Sequence, residues 1–131
     1  MIAPTAGEMV TVKKDVSARR ATRVPVDLRG SLRHRVSWDV TVQDLSLTGC
    51  LLQCPTDLDP GAIVDVHFEM GPRLLAAKAR VVDAAMDGEA LPGPCRYLVG
   101  LEFLGLPVRE EADLRVFLEE EARRRRPYNH A

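Results

Sequence analysis

From Val24 onward the chain alternates. Even positions carry Val24, Val26, Leu28, Gly30, Leu32, His34, Val36, Trp38, Val40 and Val42, and the odd positions between them are mostly polar or charged. A period of two is the signature of a strand with one buried face. The run far exceeds a typical strand of about 5–6 residues, so it must fold back, and "RHRVS" at 33–37 is the expected corner. Beyond it, "GCLLQC" reads as a short strand stopped by Pro55. "PGAIVDVHFEM" then sets Ala62, Val64, Val66, Phe68 and Met70 on one face. After the turn signal "GPR", Leu75, Ala77, Ala79 and Val81 share a face, and "CRYLVGLEF" alternates through Tyr97, Val99, Leu101 and Phe103.

The pattern therefore predicts six strands with no helical spacing between them. Links this short favour antiparallel pairing, in a small barrel or a sandwich. The end of the chain differs. "PVREEADLRVFLEEEARRRR" opens on Pro107, places acids early and arginines late, and brings Leu114, Phe117 and Leu118 onto one helical face. That order suits a helix dipole, and Glu119–Arg123, Glu120–Arg124 and Glu121–Arg125 are spaced as i,i+4 pairs. The fold class expected is all-β with a C-terminal helix.

Composition narrows the function. The 131 residues carry a formal net charge of −1, so indiscriminate binding to nucleic acid or anionic lipid is not expected. A local arginine cluster could still hold one small anion. No apolar run approaches the roughly 20 residues of a membrane span, and the N-terminus has no leader-like apolar core. Residues 1–18 lack periodicity and read as a flexible arm. Cys50, Cys54 and Cys95 match neither a CxxC nor a zinc spacing, so buried reduced thiols and a cytoplasmic setting are expected.

Catalysis finds little support. His34 lies on the apolar face of the first run, His67 has no acidic or cysteine partner at ligand spacing, and His130 is in the tail. No HExxH, GxSxG or Walker-type loop occurs. No catalytic residue, metal ligand or bound cofactor is expected.

Two short stretches remain. "RRATR" places Arg19, Arg20 and Arg23 just before the first strand. Guanidinium forks match phosphate oxygens and the guanine O6/N7 edge, and they stack on bases. "DLSLTG" links two strands with Asp44, Ser46 and Gly49. Asp44 can accept from the N1–H and N2–H₂ of guanine, Ser46 can bond a base or phosphate, and Gly49 permits an unusual conformation or close approach. Taken singly, the first is equally a solvated basic patch and the second an exposed Asx-type turn.

Together and in this order they resemble the PilZ domain family: an RxxxR before the first strand, then a [D/N]xSxxG after the second. "RVPVDLRG", "VQDLSLTGCLL" and "VGLEFLGL" fit its flanks, over about residues 18–122. The resemblance implies a six-stranded antiparallel β-barrel with a C-terminal helix, at about 24–104 and 107–125 of a domain spanning 19–126, with 127–131 as tail. It also implies a cyclic di-GMP receptor that signals to an unidentified downstream protein. Arg19, Arg20, Arg23, Asp44, Ser46 and Gly49 would form its site. The alternative within the family is an interaction module without nucleotide, for example in type IV pilus function.

Overall fold

The computed structural model describes residues 22–86 and 96–124. The expected arm and tail lie outside these residues, as do Arg19, Arg20 and Cys95. Six strands run in chain order: β1 Val24–His34, β2 Val36–Leu45, β3 Gly49–Cys54, β4 Ile63–Met70, β5 Arg73–Met86 and β6 Tyr97–Phe103. One helix follows, α1 Val108–Arg124. Around the ring the order is β1-β2-β3-β6-β5-β4 and back to β1, every pairing antiparallel. Pairing of β4 with β1 decides between the two architectures left open by the alternation: this is a closed barrel. Closure leaves no free sheet edge.

The long alternating run folds back where expected. Arg33 faces Ser37 across the hairpin, and Arg35 at its tip has φ 74°, a left-handed conformation uncommon for a residue with a side chain. In the "MGPR" turn the same region is taken by Gly71, at φ 63°.

Inward residues of all six strands meet in one core, with Leu32, Val42, Leu52, Phe68, Leu75 and Val99 all fully buried. Each such side chain contributes roughly 1.5–3 kcal/mol relative to an exposed position. The seam between β1 and β4 is short, running only from Gly30–Phe68 to Arg33–Asp65. The helix packs against β5 and β1. Leu114 and Leu118 are buried and Phe117 partly so, as the spacing predicts. Arg73 at the start of β5 lies 3.8 Å from Asp113 on the helix.

Among the described residues the ion pairs within the helix are Glu111–Arg115 and Glu121–Arg124, the second at i,i+3, while the expected Glu121–Arg125 pair lies outside the described residues. Glu121 shares the face of Leu114 and Leu118 and is buried, so Arg124 reaches it from the turn above. No described helix is long and apolar enough to cross a membrane.

Three pairings carry an extra residue. On β1, Pro25 faces Asp44 and Leu28 faces Val42, three steps against two. On β2, Val42 faces Leu52 but Asp44, not Gln43, faces Leu51. On β5, Val81 faces Leu101 but Asp83, not Val82, faces Gly100. Each is a β-bulge, which bends the strand and changes which side chains point outward.

Cys50 and Cys54 are buried free thiols. Burial, with the Asp44 charge adding to it, pushes the Cys50 thiol from its ordinary 9.0 up to about 12. The unfolded chain ionises this thiol near its ordinary value and the folded chain does not. Its contribution to stability is therefore complete below pH 9 and is lost as pH rises toward 12. Denaturant unfolding measured from pH 8 to 11 should show this loss, and Cys50→Ala should flatten the slope. An unchanged slope in the variant would assign the loss to other groups.

Candidate functional site

The turn after β2 is organised by one hydroxyl. Ser46 is 4% exposed. Its Oγ accepts from the backbone N–H of Thr48 at 3.1 Å and of Gly49 at 3.2 Å. The same oxygen lies 3.2 Å from Thr48 Oγ1 and 3.3 Å from the Gly49 carbonyl, to which its own proton can be donated. The Ser46 N–H donates to the Gly49 carbonyl at 2.9 Å. A hydroxyl has one proton and two lone pairs, and here both lone pairs are taken by the chain itself. Ser46 thus shapes the turn from inside, and the turn expected to be exposed is half sunk into the barrel wall. Thr48 anchors it to the adjacent strand, its carbonyl accepting from the Phe103 N–H on β6 at 2.8 Å.

Gly49 answers a steric demand. Its φ is not among the left-handed ones. A Cβ placed on it would collide with the Leu101 carbonyl oxygen of β6. Of the two roles open to this glycine, the structure assigns close approach.

Asp44 reaches its place through the β2 bulge. Strict alternation from Val40 and Val42 would turn it into the core; the extra residue turns it outward opposite Leu51 and gives the inward position to Leu45, fully buried. Its Oδ2 lies 3.5 Å from Arg23 Nη1, with side-chain exposures of 27% for Asp44 and 60% for Arg23. The other oxygen, Oδ1, is buried and has no hydrogen-bond partner among the described residues. Such an atom leaves a donor's place open. The ion pair ties together two stretches that lie twenty residues apart in sequence.

An open groove of about 510 Å³ starts at Arg23, Ser46 and Thr48 and runs over Leu51 and Gly100 to Val82 and Asp83. Of the six residues expected at the site, Arg23, Ser46 and Gly49 line this groove, Asp44 adjoins it through its contact with Arg23, and Arg19 and Arg20 lie outside the described residues. The β5–β6 side of the groove was not among the expected positions. Its signal was present: Asp83 occupies a position that strict alternation on β5 would bury, and a buried unpaired carboxylate is costly. Among the described residues no group of His, Cys, Asp or Glu is arranged to hold a metal ion.

The PilZ domain model matches residues 17–120. The chain belongs to the PilZ domain family. No curated protein matches it. Solved structures share the fold at low identity. The PilZ domain of Escherichia coli YcgR with c-di-GMP aligns at a TM-score of 0.69 and 16% identity, covering 82% of this chain and 94% of that one. K. pneumonia MrkH in its apo state gives 0.67 and 14%, over 79% and 50%. The Bacillus subtilis inhibitor of motility (MotI/DgrA) gives 0.63 and 14%, over 81% and 50%. The chain thus spans nearly all of the isolated YcgR domain and about half of the other two.

Ser46→Ala should leave two backbone N–H groups without their acceptor, destabilising the barrel by about 1–3 kcal/mol. Gly49→Ala should cost more, because β3 must move off β6 to admit the methyl. Thermal unfolding checks both, and a Gly49→Ala protein as stable as the unchanged one would contradict the steric reading.

Proposed function

We propose that the protein is a non-catalytic cyclic di-GMP receptor that passes the signal to a separate protein. The observation carrying this reading is the Arg23–Asp44 contact, which joins the RxxxR and [D/N]xSxxG stretches at the mouth of one groove. The chemistry of the ligand matches both partners. Its phosphates suit Arg19, Arg20 and Arg23, and a guanine donor edge suits a carboxylate that has one oxygen without a donor. The fold neighbours lend support, since YcgR and MrkH are described in complex with c-di-GMP. One neighbour is an inhibitor of motility and another a transcription regulatory factor, outputs that involve further macromolecules. We place the receptor in the cytoplasm, where a nucleotide messenger is found.

In the free protein Arg23 already faces Asp44, so the ligand must replace that contact on both sides. Arg23→Ala removes a phosphate contact, and Arg19→Ala should do the same. Each should weaken binding about tenfold to a hundredfold, more visibly at low salt. Asp44→Ala removes a guanine acceptor but also frees Arg23 for phosphate. Its loss of affinity should be smaller, and its loss of discrimination against cyclic di-AMP larger. Calorimetry with both dinucleotides at two salt concentrations measures all three. If the unchanged protein does not bind cyclic di-GMP, the barrel is an interaction module without nucleotide.

A further inference from the structure

Four residues on four adjacent strands fall in one line across the outside of the barrel. Asp44 faces Leu51, Leu51 faces Gly100, and Gly100 faces Asp83. The ends of the row are both carboxylates, three strand spacings apart, or roughly 14 Å along the sheet. Between them lie the half-buried Leu51 and the bare backbone of Gly100.

The same device places both acids. The β2 bulge lies on one side of this row and the β5 bulge on the other, and each turns outward an Asp that strict alternation would bury. Without its bulge, Asp83 would follow Leu75, Ala79 and Val81 into the core. With it, Val82 stands out at 56% exposure and the Asp83 carboxylate folds over Gly100. Its Oδ1 lies 2.8 Å from where a Gly100 Cβ would be. Glu102, the other carboxylate in this part of the groove, lies 3.5 Å from Arg80. Among the described residues Asp83 has no such partner.

An unpaired negative charge in the groove of a dianionic ligand opposes binding unless it faces hydrogen-bond donors. We infer that Asp83 is a second base-reading carboxylate of the nucleotide groove, accepting from the donor edge of a guanine at the end of the row opposite Asp44. Leu51 and Val82 offer apolar contact on either side, and Gly100 lets a ring approach the backbone. The inference rests on the cyclic di-GMP reading and extends it to a residue outside both motifs.

The test titrates Asp83→Ala, Asp83→Asn and Gly100→Ala with cyclic di-GMP and cyclic di-AMP. Asp83→Ala should weaken cyclic di-GMP about tenfold, as expected for a hydrogen bond to a charged group. It should leave cyclic di-AMP and the thermal midpoint unchanged, so discrimination falls by the same factor. Asp83→Asn, which keeps one acceptor, should fall between. Gly100→Ala retains the acid but pushes it off the row, and should weaken cyclic di-GMP similarly. Tighter binding of both dinucleotides by Asp83→Ala would mean that the acid merely repels phosphate, and would overturn the inference. So would an unchanged ratio between the two ligands. If the unchanged protein binds neither dinucleotide, the receptor reading and this inference fall together; if it binds and Asp83 proves silent, only the inference falls.

Discussion

The approach of β3 to β6 at Gly49 is the constraint on which the barrel depends. β3 is the strand that joins the β1–β2 hairpin to the β6–β5 side of the ring. Their ladder begins at Gly49–Glu102 and continues to Cys54–Tyr97, and at its first step a side chain would collide with the Leu101 carbonyl. The Thr48 carbonyl and the Ser46 hydroxyl hold the chain at that step. The serine and glycine of the motif are thus building material first. What they build is a wall on which Asp44 and Arg23 are held side by side.

That second pair is weak by design of its surroundings. Arg23 is 60% exposed and the separation is 3.5 Å, conditions under which an ion pair contributes roughly 0–1 kcal/mol. A contact of this strength orients a guanidinium yet yields to a phosphate without a large penalty. The carboxylate is less free than its partner. One oxygen is shut from solvent and has no donor among the described residues, and the carboxylate's charge is felt by the buried Cys50 thiol. Replacement of Arg23 by donors that reach both oxygens would satisfy Asp44 better than the free state does.

Most of the fold was legible because its signal is local. Every inward residue from Val64 to Met70 on β4, and from Val99 to Phe103 on β6, follows from alternation alone. The hairpin corner and the buried face of the helix follow in the same way. The bulges did not, because they arise from closing six strands into a ring, and a one-residue slip is invisible to a period-two pattern until a charge appears on the wrong parity. Asp44 and Asp83 were those charges. Of the expected helix pairs, Glu119–Arg123 and Glu120–Arg124 do not form among the described residues, whereas Arg124 pairs with Glu121, which the i, i+4, i+7 spacing from Leu114 and Leu118 already places on the buried face. The motif residues were legible as chemistry but not as geometry. Nothing in "DLSLTG" alone says that its hydroxyl is consumed by the turn.

The sum of charges explains selectivity only when their order is considered. A chain of net charge −1 gains nothing from long-range attraction to polyanions, and the groove itself carries acids beside its arginine. A phosphate-rich ligand without donor edges would meet Arg23 favourably and the carboxylates unfavourably. A neutral base without phosphate would satisfy the carboxylates and leave the guanidinium groups unused. Only a molecule presenting phosphates and donor edges in alternation converts both signs of charge into attraction. On the proposed receptor reading, specificity would come from interleaved opposite charges on one wall, which the close approach at Gly49 holds in place.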